Sequence, residues 1–137
     1  MEKFKFLKHT ADIKFRAFGK TPEEVFQNSA LALFKTLYDK RIKTKKKFKI
    51  KTKGKDLENL MYNFLEEFLF LFDSKNFLPS RIINLKLNEK KFEIKAEISG
   101  DDIKNYSSSI HVKAITYSEM KIKKEKGIWI SQVVLDV

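Results

Sequence analysis

Leu57, Leu60, Met61, Phe64, Leu65, Phe68, Leu71 and Phe72 recur at three- and four-residue intervals. That spacing predicts a helix, beginning after Asp56, with one apolar side along its whole length. A stripe this wide must be covered by an extended apolar surface, which a sheet with one apolar face supplies. The density of Phe raises the idea of a ligand pocket, but packing into a core is the simpler reading. Asp56 suits the N-cap, and Asp73-Ser74 and Pro79 bracket the exit. A second, shorter stripe, Phe26, Ala30, Leu33, Phe34 and Leu37, follows Thr21-Pro22-Glu23-Glu24. There Thr21 can cap, Pro22 fits the first helical position and Glu24 completes a capping box. This helix ends near Asp39.

The remainder alternates with period two, the mark of strands buried on one face. Residues 4–7 begin a strand, and Ile13, Phe15 and Ala17 share a face of the next, with a turn at residues 9–12 between them. Ile83, Leu85 and Leu87 alternate, Asn88-Glu89-Lys90 turns the chain, and Phe92, Ile94, Ala96 and Ile98 alternate again as a hairpin. Residues 100–109 read as a polar connection with room for a short helical turn. Strands follow at 110–117, 120–123 and 128–135, the last two joined at Lys126-Gly127. The fold expected is α+β, one domain over residues 1–137. It has two layers: a twisted, mostly antiparallel or mixed sheet with two main helices packed on one face.

Composition removes several kinds of chemistry. The chain has no Cys, so disulfides, thiolate nucleophiles and zinc–thiolate sites are out. Two His residues cannot build a multi-histidine metal site. The four glycines stand isolated, so no Gly-rich phosphate loop is present. Ser107, Ser108 and Ser109 precede His111, but no oxyanion element accompanies them, and an enzyme is not expected. No apolar run is long enough for a membrane span, and the lysines of the first eight residues lead into no apolar stretch of a signal peptide. A cytoplasmic protein with no membrane partner is the expectation.

Charge is concentrated. Residues 40–55 hold ten of the 29 basic residues and none of the 18 acidic ones, while the net charge of the whole chain is +11. Within this segment Lys47, Lys49, Lys51 and Lys53 alternate with Phe48, Ile50 and Thr52, so a strand would line one face with four ammonium groups. Such a face could hold nucleic-acid phosphate or an acidic protein surface, or simply keep a sheet edge from aggregating.

Asp12 lies where a turn enters a strand, and Asp136 interrupts the apolar run Val133-Val134-Leu135. Val137 adds a terminal carboxylate. If the two strand ends are neighbours, these groups form an all-oxygen cluster suited to a hard cation such as calcium or magnesium. The plainer alternative is a turn cap and a frayed end. Lys113 and His111, expected on one strand face with Ile115 and Tyr117, are either a phosphate-holding pair beside that cluster or solvated side chains.

These blocks resemble the archease family. The resemblance is carried by His9-Thr10-Ala11-Asp12-Ile13, by Gly19-Lys20-Thr21-Pro22-Glu23-Glu24-Val25-Phe26 with Asn28, and by the helix closing with Leu69-Phe70-Leu71-Phe72-Asp73. Val112-Lys113-Ala114-Ile115-Thr116-Tyr117 and Val134-Leu135-Asp136-Val137 continue it in order. It implies a non-enzymatic cofactor of the RtcB-type RNA ligase in tRNA splicing, promoting GTP-dependent guanylylation and repeated turnover. It also implies a divalent cation on Asp12, Asp136 and Val137, calcium ahead of magnesium or manganese. His9 and Lys113 would contact partner or phosphate, with tRNA reached through the ligase complex. The alternative is a chaperone that binds RNA or a tRNA methyltransferase through residues 40–55. Three positions depart from the family pattern: Ser118 stands where His is frequent, Phe64 where Trp is frequent (a packing swap), and Lys14 where Gly is common.

Overall fold

The computed structural model describes residues 1–8, 12–107 and 111–137. In chain order the elements are β1 (Phe4–Leu7), β2 (Ile13–Gly19), α1 (Pro22–Leu37), β3 (Lys46–Lys53), α2 (Leu57–Lys75), β4 (Phe77–Asn88), β5 (Glu93–Asp102), a 3-10 turn (Ile103–Asn105), β6 (Ala114–Glu125) and β7 (Ile128–Asp136). The α+β class and the antiparallel pairing agree with the expectation. The single sheet does not: the described strands form two, ordered β1-β2-β7-β6 and β3-β5-β4. Each is built around a hairpin that captures a strand from earlier in the chain. The β6–β7 hairpin takes β2 against β7, and the β4–β5 hairpin takes β3 against β5. The helices are not confined to one sheet. α1 packs on β2, β7 and β4, and α2 on β6, β3 and β4, so each touches both.

Local chemistry sets the helix ends as the residues suggest. The Glu24 N–H donates to the Thr21 hydroxyl at 3.1 Å, with Pro22 at the first helical position. The Asn59 N–H donates to Asp56 at 2.8 Å. Asn76 ends α2 in the left-handed region (φ 52°), where its N–H reaches the Leu71 carbonyl. Phe26, Phe64 and Phe68 are fully buried and Phe34 nearly so. They meet edge to face between the helices, Phe26–Phe64 at 5.8 Å, Phe64–Phe68 at 5.0 Å and Phe34–Phe68 at 4.8 Å. Phe64 thus fills a packing position, as the swap for Trp suggested.

Two buried polar ties seat α1 on the larger sheet. The Asn28 amide donates to the Phe18 carbonyl at 2.6 Å. The Ser29 hydroxyl donates to the Val25 carbonyl and lies 2.7 Å from the Ser131 hydroxyl, which leaves Ser131 as the donor between them.

Several strand boundaries differ from expectation. β4 starts at Phe77 and includes Pro79, which is tolerated because β4 is an edge strand. Gly100 belongs to β5, opposite Pro79, rather than to a polar connection. A Cβ there would come within 2.1 Å of the Leu78 carbonyl oxygen and 2.8 Å of the Phe77 ring, so only Gly allows the two strands to close. β6 is one strand rather than two. Its pairing with β7 breaks between Thr116 and Lys121, where Glu119 takes φ 53° and its carbonyl accepts the Gln132 amide. Lys14 reaches this kink and pairs with Glu119 at 3.0 Å. No described helix is long and apolar enough to cross a membrane.

Candidate functional site

β2 and β7 are central neighbours in the larger sheet, and their register pairs Ile13 with Leu135. Asp12 and Asp136 are the next residues outward on the two strands, so Asp12 and the close of the last strand meet at one end of the sheet. β6 joins them there: Ala114 pairs with Asp136, and the Lys113 N–H donates to the Asp136 carbonyl at 2.8 Å. Asp12, Asp136 and Val137 are all partly exposed and Lys113 is exposed. The backbone therefore gathers four of the five residues that the family resemblance implies for metal and phosphate contact. The fifth, His9, lies outside the described residues, as do Ser108 and Ser109.

Lys113 and His111 do not share a strand face, because β6 begins only at Ala114. His111 turns toward the end of α2 instead, its Nδ1 3.7 Å from Asp73 and its ring tilted against Phe72. Ser118 is exposed, and its N–H donates to the Thr116 hydroxyl at 3.2 Å.

The donor set is chemically uniform. Asp12 and Asp136 offer only hard carboxylate oxygens, and the chain has no thiolate to compete. Among the described residues no three His, Cys, Asp or Glu side chains converge, so two carboxylate side chains are what this end of the sheet supplies. That set fits a hard divalent ion with coordination completed by water or a partner. Asp12 also lines a cavity of about 460 Å³, together with Lys8, Lys35 and Asp39. Asp39 had signalled only the end of the first helix; its nearness to Asp12 depends on how α1 lies across β1 and β2.

The lysine strand is built as its alternation suggests. Lys47, Lys49, Lys51 and Lys53 are exposed on β3, Phe48 is half-buried, and Ile50 and Thr52 are buried. Its charge is partly answered by β5. Lys53 pairs with Glu93 at 3.3 Å, and Lys49 stands opposite Glu97 in the register. The Lys53 ammonium holds the Glu93 carboxyl below the usual carboxylate range. Lys51, by contrast, lies opposite Lys95, which lies opposite Lys86.

Three kinds of comparison agree. The model of the archease protein family matches residues 4–137. The archease of Methanosarcina barkeri is 39% identical, the match covering 99% of this chain and 97% of the relative. That of Pyrococcus abyssi is 37% identical over the whole of both chains. The solution structure of Methanobacterium thermoautotrophicum protein 1598 superposes with a TM-score of 0.83 at 30% identity, covering all of both chains. A crystal structure from Thermotoga maritima, titled an archease and possible chaperone, shares the fold with a TM-score of 0.68 at 21% identity, over 96% of this chain and 94% of that one.

Proposed function

We propose, because the chain belongs to the archease family, that it serves as a non-enzymatic protein cofactor of an RtcB-type RNA ligase. In that role it promotes guanylylation of the ligase by GTP and its repeated turnover in tRNA splicing. The observation that supports this reading most strongly is the β2–β7 register. It brings Asp12 beside the Asp136–Val137 end, with Lys113 bonded through its backbone to the same residue.

Asp12, Asp136 and Val137 would hold a divalent cation through their carboxylate oxygens, with calcium first and magnesium or manganese as substitutes. Such an ion, when bound, offsets negative charge on a phosphate. The rest belongs to the chain itself. Strand pairing fixes the start of β2 against the end of β7, so the carboxylates need little ordering when a ligand arrives. Lys113 keeps its ammonium in solvent, free to meet an anion delivered by the partner. No nucleophile–base pair stands beside these residues among those described, and the covalent steps are left to the ligase. The tip of the larger sheet is then the part that approaches the ligase, and tRNA is met through that complex.

A ligation assay with purified ligase, RNA halves and GTP tests this reading. Ligase alone should stall after its first product, and adding this protein should restore turnover. Asp12→Ala and Asp136→Ala should each abolish the rescue while leaving the fold intact by circular dichroism. Full rescue by both variants would remove the carboxylates from the function.

A further inference from the structure

The cations of residues 40–55 divide between two surfaces. Those of β3 are partly answered from β5, Lys46 by Asp102, Lys53 by Glu93 and Lys49 by the facing Glu97. Those before β3 run along a groove of about 1230 Å³ between the end of α1, the start of β4 and the turn after β5. Lys35, Lys40, Arg41, Lys43, Lys45 and Arg81 line it, and none of the six closes an ion pair with any described residue. Two of the chain's three arginines are among them. Tyr38 and Tyr106 line the same groove, ring centroids 5.2 Å apart and edge to face.

The segment bearing these cations is anchored rather than loose. Ile42 is buried, and its carbonyl accepts the Ser80 hydroxyl at 3.2 Å. The Lys43 N–H donates to the Tyr106 hydroxyl at 2.8 Å, which in turn donates to Asp101 at 2.9 Å. Among the described residues Asp101 is the one acid on the wall. Burial pushes its carboxyl up, but the Asp102 N–H, the Tyr106 hydroxyl, the Asn105 amide and the Lys45 charge outweigh that and bring it below its ordinary value. Its oxygens are thus occupied in holding Tyr106 and, through it, the basic segment.

We propose that this groove binds single-stranded RNA, with phosphates on Lys40, Arg41, Lys43 and Arg81 and a base against Tyr38. Its volume exceeds the roughly 300–1,000 Å³ of small-molecule sites, which favours an extended ligand. Guanidinium groups match phosphate in two-pronged fashion, and aromatic rings accept bases of any sequence. An acidic polypeptide would satisfy the cations but has no use for the rings. The ligase is not required, so the isolated chain should bind RNA whether or not it activates a ligase.

Fluorescence anisotropy of a labelled oligouridylate, titrated with the isolated protein at several salt concentrations, tests this. Binding should weaken with salt, with a log–log slope of about 0.7 for each phosphate contacted. Arg41→Gln with Arg81→Gln should flatten that slope by about 1.4, and Tyr38→Leu should weaken binding by about fivefold or more. Lys121→Gln with Lys124→Gln, the same loss of charge on β6, should change affinity by less than about twofold. The proposal is overturned if the oligonucleotide does not bind at low salt, or if the β6 variant loses as much as the arginine variant. It is also overturned if polyglutamate displaces the RNA as well as unlabelled RNA does, which would mark an acidic-protein site.

Discussion

Phe68→Ala removes the ring at the centre of the aromatic contact between the two helices. Phe68 is fully buried and lies edge to face with Phe64 at 5.0 Å and Phe34 at 4.8 Å. The ring is wedged between two helices that each pack on both sheets, so the surrounding side chains cannot collapse freely into the space. The loss should therefore fall in the range of about 3–5 kcal/mol for deleting a buried Phe. Unfolding entropy of about 2.1 cal/mol/K per residue, taken over 137 residues, turns this into a Tm drop of about 10–17 °C. Phe70, two residues on, is 55% exposed on the opposite side of α2, and Phe70→Ala should change stability by less than about 0.5 kcal/mol. Urea denaturation and differential scanning calorimetry on both variants provide the comparison. If Phe68→Ala costs under about 1 kcal/mol, or Phe70→Ala costs as much as it does, the helix faces are misassigned.

Gly100→Ala should destabilise far more than Gly127→Ala, by denaturant midpoint. The first drives a Cβ into the Leu78 carbonyl, whereas the second adds a Cβ into open space and carries only the strain of its φ of +80°. Acid should also weaken the fold. The Lys53 hydrogen bond and charge hold Glu93 low, and the Lys104 N–H and the Lys46 ammonium do the same for Asp102. A depressed folded-state pKa gives stability that is present above the ordinary carboxylate range and lost as pH falls through the folded value. Tm should therefore decline below about pH 4, and Lys53→Gln should make the decline shallower; an unchanged profile would show that the Glu93 pair contributes nothing.

Much of this architecture was legible in the residues because it rests on local rules. Thr21 and Asp56 cap the helices they were expected to cap, and the alternation around Phe48, Ile50 and Thr52 sorts β3 into a buried and an exposed face. The meeting of β2 and β7 was conditional in the sequence, since pairing between residues more than a hundred apart leaves no local mark. The division into two sheets was hidden for the same reason. Gly100 and Pro79 look like loop residues until they are seen opposite one another, where the absent Cβ and the absent N–H are each harmless. The β6 kink turns on Glu119 at positive φ, which no residue type there announces. Of the groove, Lys40, Arg41, Lys43 and Lys45 were visible as a charge run, but Arg81 and Tyr106 reach it only through β4 and the turn after β5. The carboxylate pair at 12 and 136 was named from chemistry, whereas Asp39 joins the surroundings of Asp12 through tertiary packing alone.

Calorimetric titration of calcium into the protein, stripped of divalent ions, addresses the central claim most directly. Wild type should give one site, Asp12→Asn and Asp136→Asn should each lose it, and an extension fused after Val137, which converts its carboxylate to an amide, should weaken it. Heats that are unchanged in both Asp variants, or no binding of calcium, magnesium or manganese by the wild type, would contradict it.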